Sequence, residues 1–295
     1  MKKFSLVSIL VTVLIVTSYS QEKSQTQLMI RCDDMGMCHS VNMAIRSFTE
    51  TKIPFSTSVM FNCPWYLEAA EILKDQPHVS IGVHLTLNSE WKNYRWGPVL
   101  GKEAVPSLVD KNGYFFPSRK DFHDNNPKPD EIEKELRAQI ERAKNTGLNI
   151  DYVDYHMGTA VDKPEHREIV EKLAKEYGLA ISRYFGEVDA KNLYSDPIEN
   201  KTDSLITVFN KLDPASVNLM VCHLGLDTPE LASMQDMNPW GMEFMSKHRN
   251  AELNALKSSL FNYLAKEHNI EFLTYKNLVK TPGLEKMKRP DLSGY

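Results

Sequence analysis

Short apolar runs with strand character and runs of helical period take turns along this chain from Leu28 to Tyr275, and no other feature narrows the fold so far. Strands are expected at residues 28–32, 55–61, 79–85, 150–155, 179–182, 217–222 and 270–275. Between them lie helical patterns at 40–50, 64–73, 129–146, 164–177 and 249–268, with a short one around Leu205, Val208 and Leu212. Ser40 is a candidate cap for the first of these helices, Pro64 and Pro129 suit first turns, and Gly147 and Gly178 suit stops. This alternation specifies an α/β fold with a parallel sheet and right-handed crossovers, in which seven strands would close an irregular barrel. There is no internal repeat, low-complexity tract or linker, so residues 21–295 read as a single domain.

Four of the expected strands end in residues that bind metals or move protons. The first runs into Asp33-Asp34 and Gly36, the third ends at His84, the fourth at His156 after Asp154, and the sixth at His223. The carboxyl ends of the strands are where barrels of this kind carry their chemistry. Two imidazoles and a carboxylate would leave a divalent cation with open positions, and a second carboxylate could take a proton from a bound water. Neighbouring residues of a strand point to opposite faces, so Asp33 and Asp34 reach one site only where the backbone turns, and Gly36 makes a turn plausible. Each residue also has a bland reading. Asp-Asp can fill a turn or cap a helix, a lone histidine after an apolar run is often a satisfied core residue, and Asp154 can orient His156 or cap its loop. His39, His78, His123, His166, His248 and His268 fall in helix or loop contexts and receive no role.

Residues 1–20 carry Lys2 and Lys3, an apolar run from Phe4 to Val16 and a small or polar end, the pattern of a secretory signal peptide. A secreted or periplasmic protein is therefore expected, with no membrane contact in its mature form. Loss of those two lysines and of no acid takes the formal net charge from −4 to −6, which argues against nucleic acid and anionic membranes as partners. Of the four cysteines, Cys32 and Cys222 sit inside apolar runs, and free buried thiols are expected over bridges for Cys32, Cys38, Cys63 and Cys222. Residues 88–129 interrupt the alternation with Trp91, Tyr94, Trp96, Tyr114, Phe115 and several prolines. A long aromatic excursion directly after His84 reads as a binding loop suited to flat sugar faces, or as a satellite hydrophobic cluster. A second irregular stretch, 226–248, contains Trp240 and would form another wall.

Taken together, the motifs resemble those of the YdjC-like carbohydrate deacetylases. Arg31-Cys32-Asp33-Asp34-Met35-Gly36 with Val41-Asn42-Met43-Ala44-Ile45 is similar to the opening of that family, and Gly82-Val83-His84-Leu85-Thr86-Leu87 to its second motif. Val105-Pro106-Ser107-Leu108-Val109-Asp110 with Gly113 and Phe115, then Asp154-Tyr155-His156, then Cys222-His223 with Arg249 and Glu252-Leu253, follow in order. The resemblance implies a distorted (β/α) barrel in which Asp33 is the general base and Asp34, His84 and His156 hold one divalent ion, Mg or Zn. His223 would lie near the substrate as the acid or as a contact. Met35, Met157-Gly158 and Leu224 depart from the family's usual residues and bear on the substrate rather than on the metal ligands. The leading expectation is thus a metal-dependent hydrolase that removes acetyl groups from an acetylated amino sugar or oligosaccharide, with a homodimer admitted as its assembly. The alternatives are a glycosidase, for which adjacent carboxylates are poorly placed, and a carbohydrate-binding barrel without turnover.

Overall fold

The computed structural model describes residues 25–290, and the expected signal peptide lies outside them. The chain runs β1 (Thr26–Met35), α1 (His39–Thr49), β2 (Phe55–Val59), α2 (Tyr66–Leu73) and β3 (Val79–Leu85). After the long excursion, which holds α3 (Arg119–Asp124), come α4 (Pro129–Asn145), β4 (Tyr152–Tyr155), α5 (Pro164–Tyr177), β5 (Ala180–Ile181) and β6 (Val188–Asp189). The remainder is α6 (Lys201–Asn210), β7 (Val217–Cys222), α7 (Pro229–Ala232), α8 (Met245–Lys257), α9 (Ser259–Glu267), β8 (Ile270–Leu273) and α10 (Tyr275–Leu278).

All pairings are parallel, in the order β5-β4-β3-β2-β1-β7-β6. β1 is the hub. β7 runs along one of its edges from Gln27 to Cys32, while the other edge is shared by β8 at Thr26–Met29 and β2 from Arg31 onward. Among the described residues no ladder joins β5 to β6, so the distorted (β/α) barrel is left open as a half-barrel. No described helix is long and apolar enough to cross a membrane.

The period of two along each strand separates two apolar layers. Leu28, Ile30 and Cys32 of β1 face the surrounding helices in the larger core, whereas Met29 packs inside the barrel with Tyr152, Ala180, Leu219 and Tyr275. Tyr152 and Tyr275 stack with ring centroids 4.1 Å apart. Gly82 makes room for them: a Cβ there would lie 2.4 Å from the Tyr152 ring. The inward series of β1 then continues from Met29 to Arg31 and Asp33, so the barrel interior changes from apolar to charged as it rises toward the carboxyl ends.

Several elements differ from the sequence reading. Ser40 does not cap α1; its hydroxyl meets Thr228 Oγ1 at 2.6 Å and Glu230 Oε2 at 2.5 Å, and Cys38 is the cap residue. A distant acceptor competes successfully with the local cap because Ser40 is buried against α7. The single helix expected at 249–268 is two, split at Ser258, whose extended backbone and hydroxyl, accepting from Phe261 N at 3.1 Å, start α9. β6 was not anticipated, having only two residues, both exposed. All four cysteines are free and buried, as expected from their apolar contexts.

Candidate functional site

The inward positions at the strand tips are Asp33 on β1, His84 on β3, and Asp154 with His156 at the end of β4. They line, or lie directly beneath, a cleft of about 520 Å³ whose walls also include Asp34, Glu90, Trp91, Tyr194, His223, Trp240 and Arg249. Asp34 has the wrong parity for this face. It joins the site because its backbone takes the left-handed conformation (φ 67°), at the point where the β1–β2 register shifts between Cys32 and Met35. Asp pays less than bulkier residues for that conformation. The turn therefore falls on Asp34 itself and is completed at Gly36 (φ 89°), where an added Cβ would meet Met60 O at 3.1 Å.

Three atoms meet at the centre. Asp34 Oδ1 lies 3.4 Å from His84 Nε2 and 3.4 Å from His156 Nδ1, and the two ring nitrogens are 3.3 Å apart. Carboxylates hold the far side of both rings: Asp154 Oδ1 is 2.9 Å from His84 Nδ1, and Glu90 Oε2 is 3.0 Å from His156 Nε2. With these partners the neutral form of each imidazole donates its N–H outward and turns a lone pair inward, so a cation that binds there takes the place of the inward proton. Arg249 Nη2 donates to Asp34 Oδ2 at 2.7 Å, which leaves Oδ1, buried and without a hydrogen-bond partner, aimed at the rings.

The charge around this triangle is unbalanced. Asp33, Asp34, Glu90 and Asp154 stand against two guanidiniums, those of Arg31 and Arg249. Burial disfavours charge on both rings, yet the acids outweigh it. His156 is pushed up to about 9 by Glu90 and Asp34, and His84 is held well above its usual range by Asp154, Asp33 and Asp34. Burial raises Asp34, but Arg249 and the two histidines hold its carboxyl well below the usual range. The centre calls for added positive charge, and Asp34, His84 and His156 fit a divalent cation: ligands ~2.1 Å from a four-coordinate ion stand ~3.4 Å from one another. Asp33, His84 and Asp154 also cluster, but Arg31 fills that corner, with Nε 2.7 Å from Asp33 Oδ1 and 3.0 Å from Asp154 Oδ2.

Asp33 is gripped at both oxygens by Arg31, through Nε at 2.7 Å and Nη2 at 2.8 Å, and faces the cleft. His223, at the tip of β7 beside β1, also lines the cleft, with its ring 5.2 Å from that of Tyr194, its backbone N–H on Glu252 Oε2 at 2.9 Å, and its Nδ1 unpartnered. Burial, opposed by Asp34 and seconded by Arg249, lowers its pKa and favours the neutral ring.

One expectation needs correction, and one open alternative is decided. Asp154 orients His84, not His156, because parallel pairing sets it directly opposite His84 across the β3–β4 ladder. Most aromatics of the excursion form a satellite cluster: Trp91, Trp96 and Phe115 are buried, and of these only Trp91 lines the cleft. Trp240, in the second irregular stretch, is the exposed aromatic at the mouth. Sequence reasoning missed Glu90 and the role of Arg31. An arginine two residues before Asp33 shares its face of the strand, which is a legible signal for the latter. Nothing local distinguishes Glu90.

A distorted (β/α) barrel with a buried Asp–His–His triangle at its carboxyl end is the class that the fold and site define. The family model "YdjC-like protein" matches residues 27–267, and the chain belongs to that family. It is 29% identical over 177 residues to a carbohydrate deacetylase of Enterococcus faecalis, covering 59% of this chain and 65% of that protein. It is 32% identical over 155 residues to one from Brevibacillus brevis, covering 52% of this chain and 58% of that protein. Both matches span less than two thirds of the relatives' own length. A carbohydrate deacetylase of Geobacillus stearothermophilus aligns at 27% identity over 260 residues, 85% of this chain and 97% of that one. A crystal structure of a candidate cellobiose-phosphate cleavage protein from Enterococcus faecalis superposes with a TM-score of 0.71 at 24% identity, over 86% of this chain and 99% of the other, and shows the same fold.

Proposed function

We propose that this protein is an exported carbohydrate deacetylase that removes acetyl groups from an acetylated amino sugar or oligosaccharide with the help of one divalent cation. The observation that carries the reading is the triangle of Asp34 Oδ1, His84 Nε2 and His156 Nδ1, three inward lone-pair donors 3.3–3.4 Å apart in an acid-rich pocket. The deacetylase relatives supply the substrate class, and Lys2, Lys3 and the apolar run behind them support export.

A cation held by Asp34, His84 and His156, with Zn favoured over Mg by the two nitrogen donors, would acidify a water and polarise the acetyl carbonyl. Asp33 stands beside the triangle as the base that takes the proton from the attacking water. Arg31, bonded to both its oxygens, fixes the carboxylate in the cleft. Asp154 and Glu90 keep His84 and His156 in the tautomers whose lone pairs face inward. Arg249 keeps Asp34 ionised and single-toothed. His223, in the cleft with an unpartnered ring nitrogen, would pass a proton to the departing amine or hydroxyl. A glycosidase would need one carboxyl held protonated at neutral pH, and Asp34 is unsuited to that role because Arg249 and the histidines hold it ionised.

The test is acetate release from acetylated mono- and oligosaccharides by the parent chain and Asp33→Asn, with bound metal measured in both. Asp33→Asn should keep its metal and lose roughly 10²–10⁴-fold in turnover, the contribution of a positioned base. Near-normal release by the metal-loaded variant refutes Asp33 as base, and reducing ends formed without acetate refute the deacetylase reading.

A further inference from the structure

A second cluster of metal-binding side chains lies outside the site just described. His123 is in the last turn of α3, Asp162 sits in the turn before α5, and His166 is in the first turn of α5. The Asp162 carboxylate spans the two imidazoles. Its Oδ2 is 2.7 Å from His123 Nε2, and its Oδ1 is 3.5 Å from His166 Nδ1, with one ligand atom from each residue within 4.8 Å of the others. The rings stack nearly parallel, centroids 5.4 Å apart at 21°, and the Phe122 ring closes the cluster by packing edge-on against both. Asp162 Oδ1 is buried with no hydrogen-bond partner, and among the described residues no lysine or arginine pairs with the carboxylate.

We propose that His123, Asp162 and His166 form a second cation site, for a divalent transition metal of the zinc class. Two imidazoles and one carboxylate suit such an ion, which prefers nitrogen donors, and do not suit calcium or magnesium, which prefer all-oxygen shells. The cation displaces the proton shared between His123 and Asp162 and the one that His166 Nδ1 directs at Thr159 O, 3.4 Å away, gives Oδ1 its missing partner, and leaves a fourth position for water. His123 is a quarter exposed and provides the entry path.

The site has a mechanical consequence. It ties the excursion through α3 to the connection that follows His156. The same two segments also meet where Arg119 Nη1 would lie 3.6 Å from a Cβ placed on Gly158, and Arg119 and Lys120 face the cleft from α3. A metal clasp at His123 would therefore brace one wall of the cleft without touching the reacting atoms.

The experiment reads zinc binding directly and does not depend on activity. Asp34→Ala/His84→Ala disables the first centre, and equilibrium dialysis against Zn²⁺ should still find one molar equivalent bound. Adding His123→Gln should weaken that binding at least tenfold and abolish the rise in thermal midpoint that Zn²⁺ produces. Absence of binding in Asp34→Ala/His84→Ala, or binding that His123→Gln leaves unchanged, overturns the proposal. Should the double variant fail to fold, the otherwise unaltered chain decides the matter: it should hold one equivalent more than its His123→Gln counterpart, and equal amounts refute the site. This outcome is independent of acetate release, so the deacetylase reading stands or falls separately.

Discussion

Asp34 shows how much one backbone torsion can decide. On a regular strand it would point at the helices while Asp33 pointed into the cleft. Its left-handed φ of 67° brings both carboxylates to one place and divides their partners, Arg31 for Asp33 and Arg249 for Asp34. The residues behind the ligands matter on the same scale. Asp154 is fully buried and bonded to His84, Ser58 and Arg31, so Asp154→Asn keeps the shape and removes the charge that holds His84 in its tautomer. Metal affinity measured by chelator competition should fall ~10–100-fold with the fold retained, as seen when a ligand's supporting carboxylate is lost. Unchanged affinity would show that Asp154 serves packing alone.

Among the strands, β3 and β4 carry the arrangement. Their register places Gly82 against Tyr152 and His84 against Asp154, so one pairing builds both the apolar plug and the bond that orients a candidate ligand above it. Gly82→Ala puts a methyl group 2.4 Å from the Tyr152 ring, which is itself held by the Tyr275 stack and by Ser58 Oγ at 2.8 Å. Overpacking of this kind should cost roughly 1–3 kcal/mol in urea unfolding. Combination with Tyr152→Leu should recover part of that cost, and strict additivity would mean that the ring and the methyl do not collide.

The cleft belongs to the whole molecule, because its walls come from segments far apart in sequence. The excursion after β3 and the stretch between β7 and α8 join at its edge, where Lys92 N donates to Gln235 O at 2.8 Å and Met237 N to Glu90 O at 2.8 Å. This junction places Glu90 against His156 and leaves Trp240, two-thirds exposed, at the mouth. A flat aromatic there suits a sugar face, so Trp240→Ala should raise KM roughly tenfold while kcat changes little, on the order of the 1.4 kcal/mol one stacked ring contributes. An equal fall in kcat would place Trp240 in the reaction rather than in binding.

The strand tips and their residue types could be read in advance because they depend on local period and on the rule that parallel barrels present chemistry at one end. Asp33, Asp34, His84, His156 and His223 are found around one cleft for that reason, and the helix stops at Gly147 and Gly178 are legible from local residue preference alone. What local pattern cannot encode is which distant side chain wins a contact. Ser40 serves α7 instead of its own helix, Asp154 serves the neighbouring strand's histidine, and Glu90 reaches His156 across 66 residues of chain. Those choices depend on register and on burial, which exist only once the strands have paired and the irregular segments have closed over them.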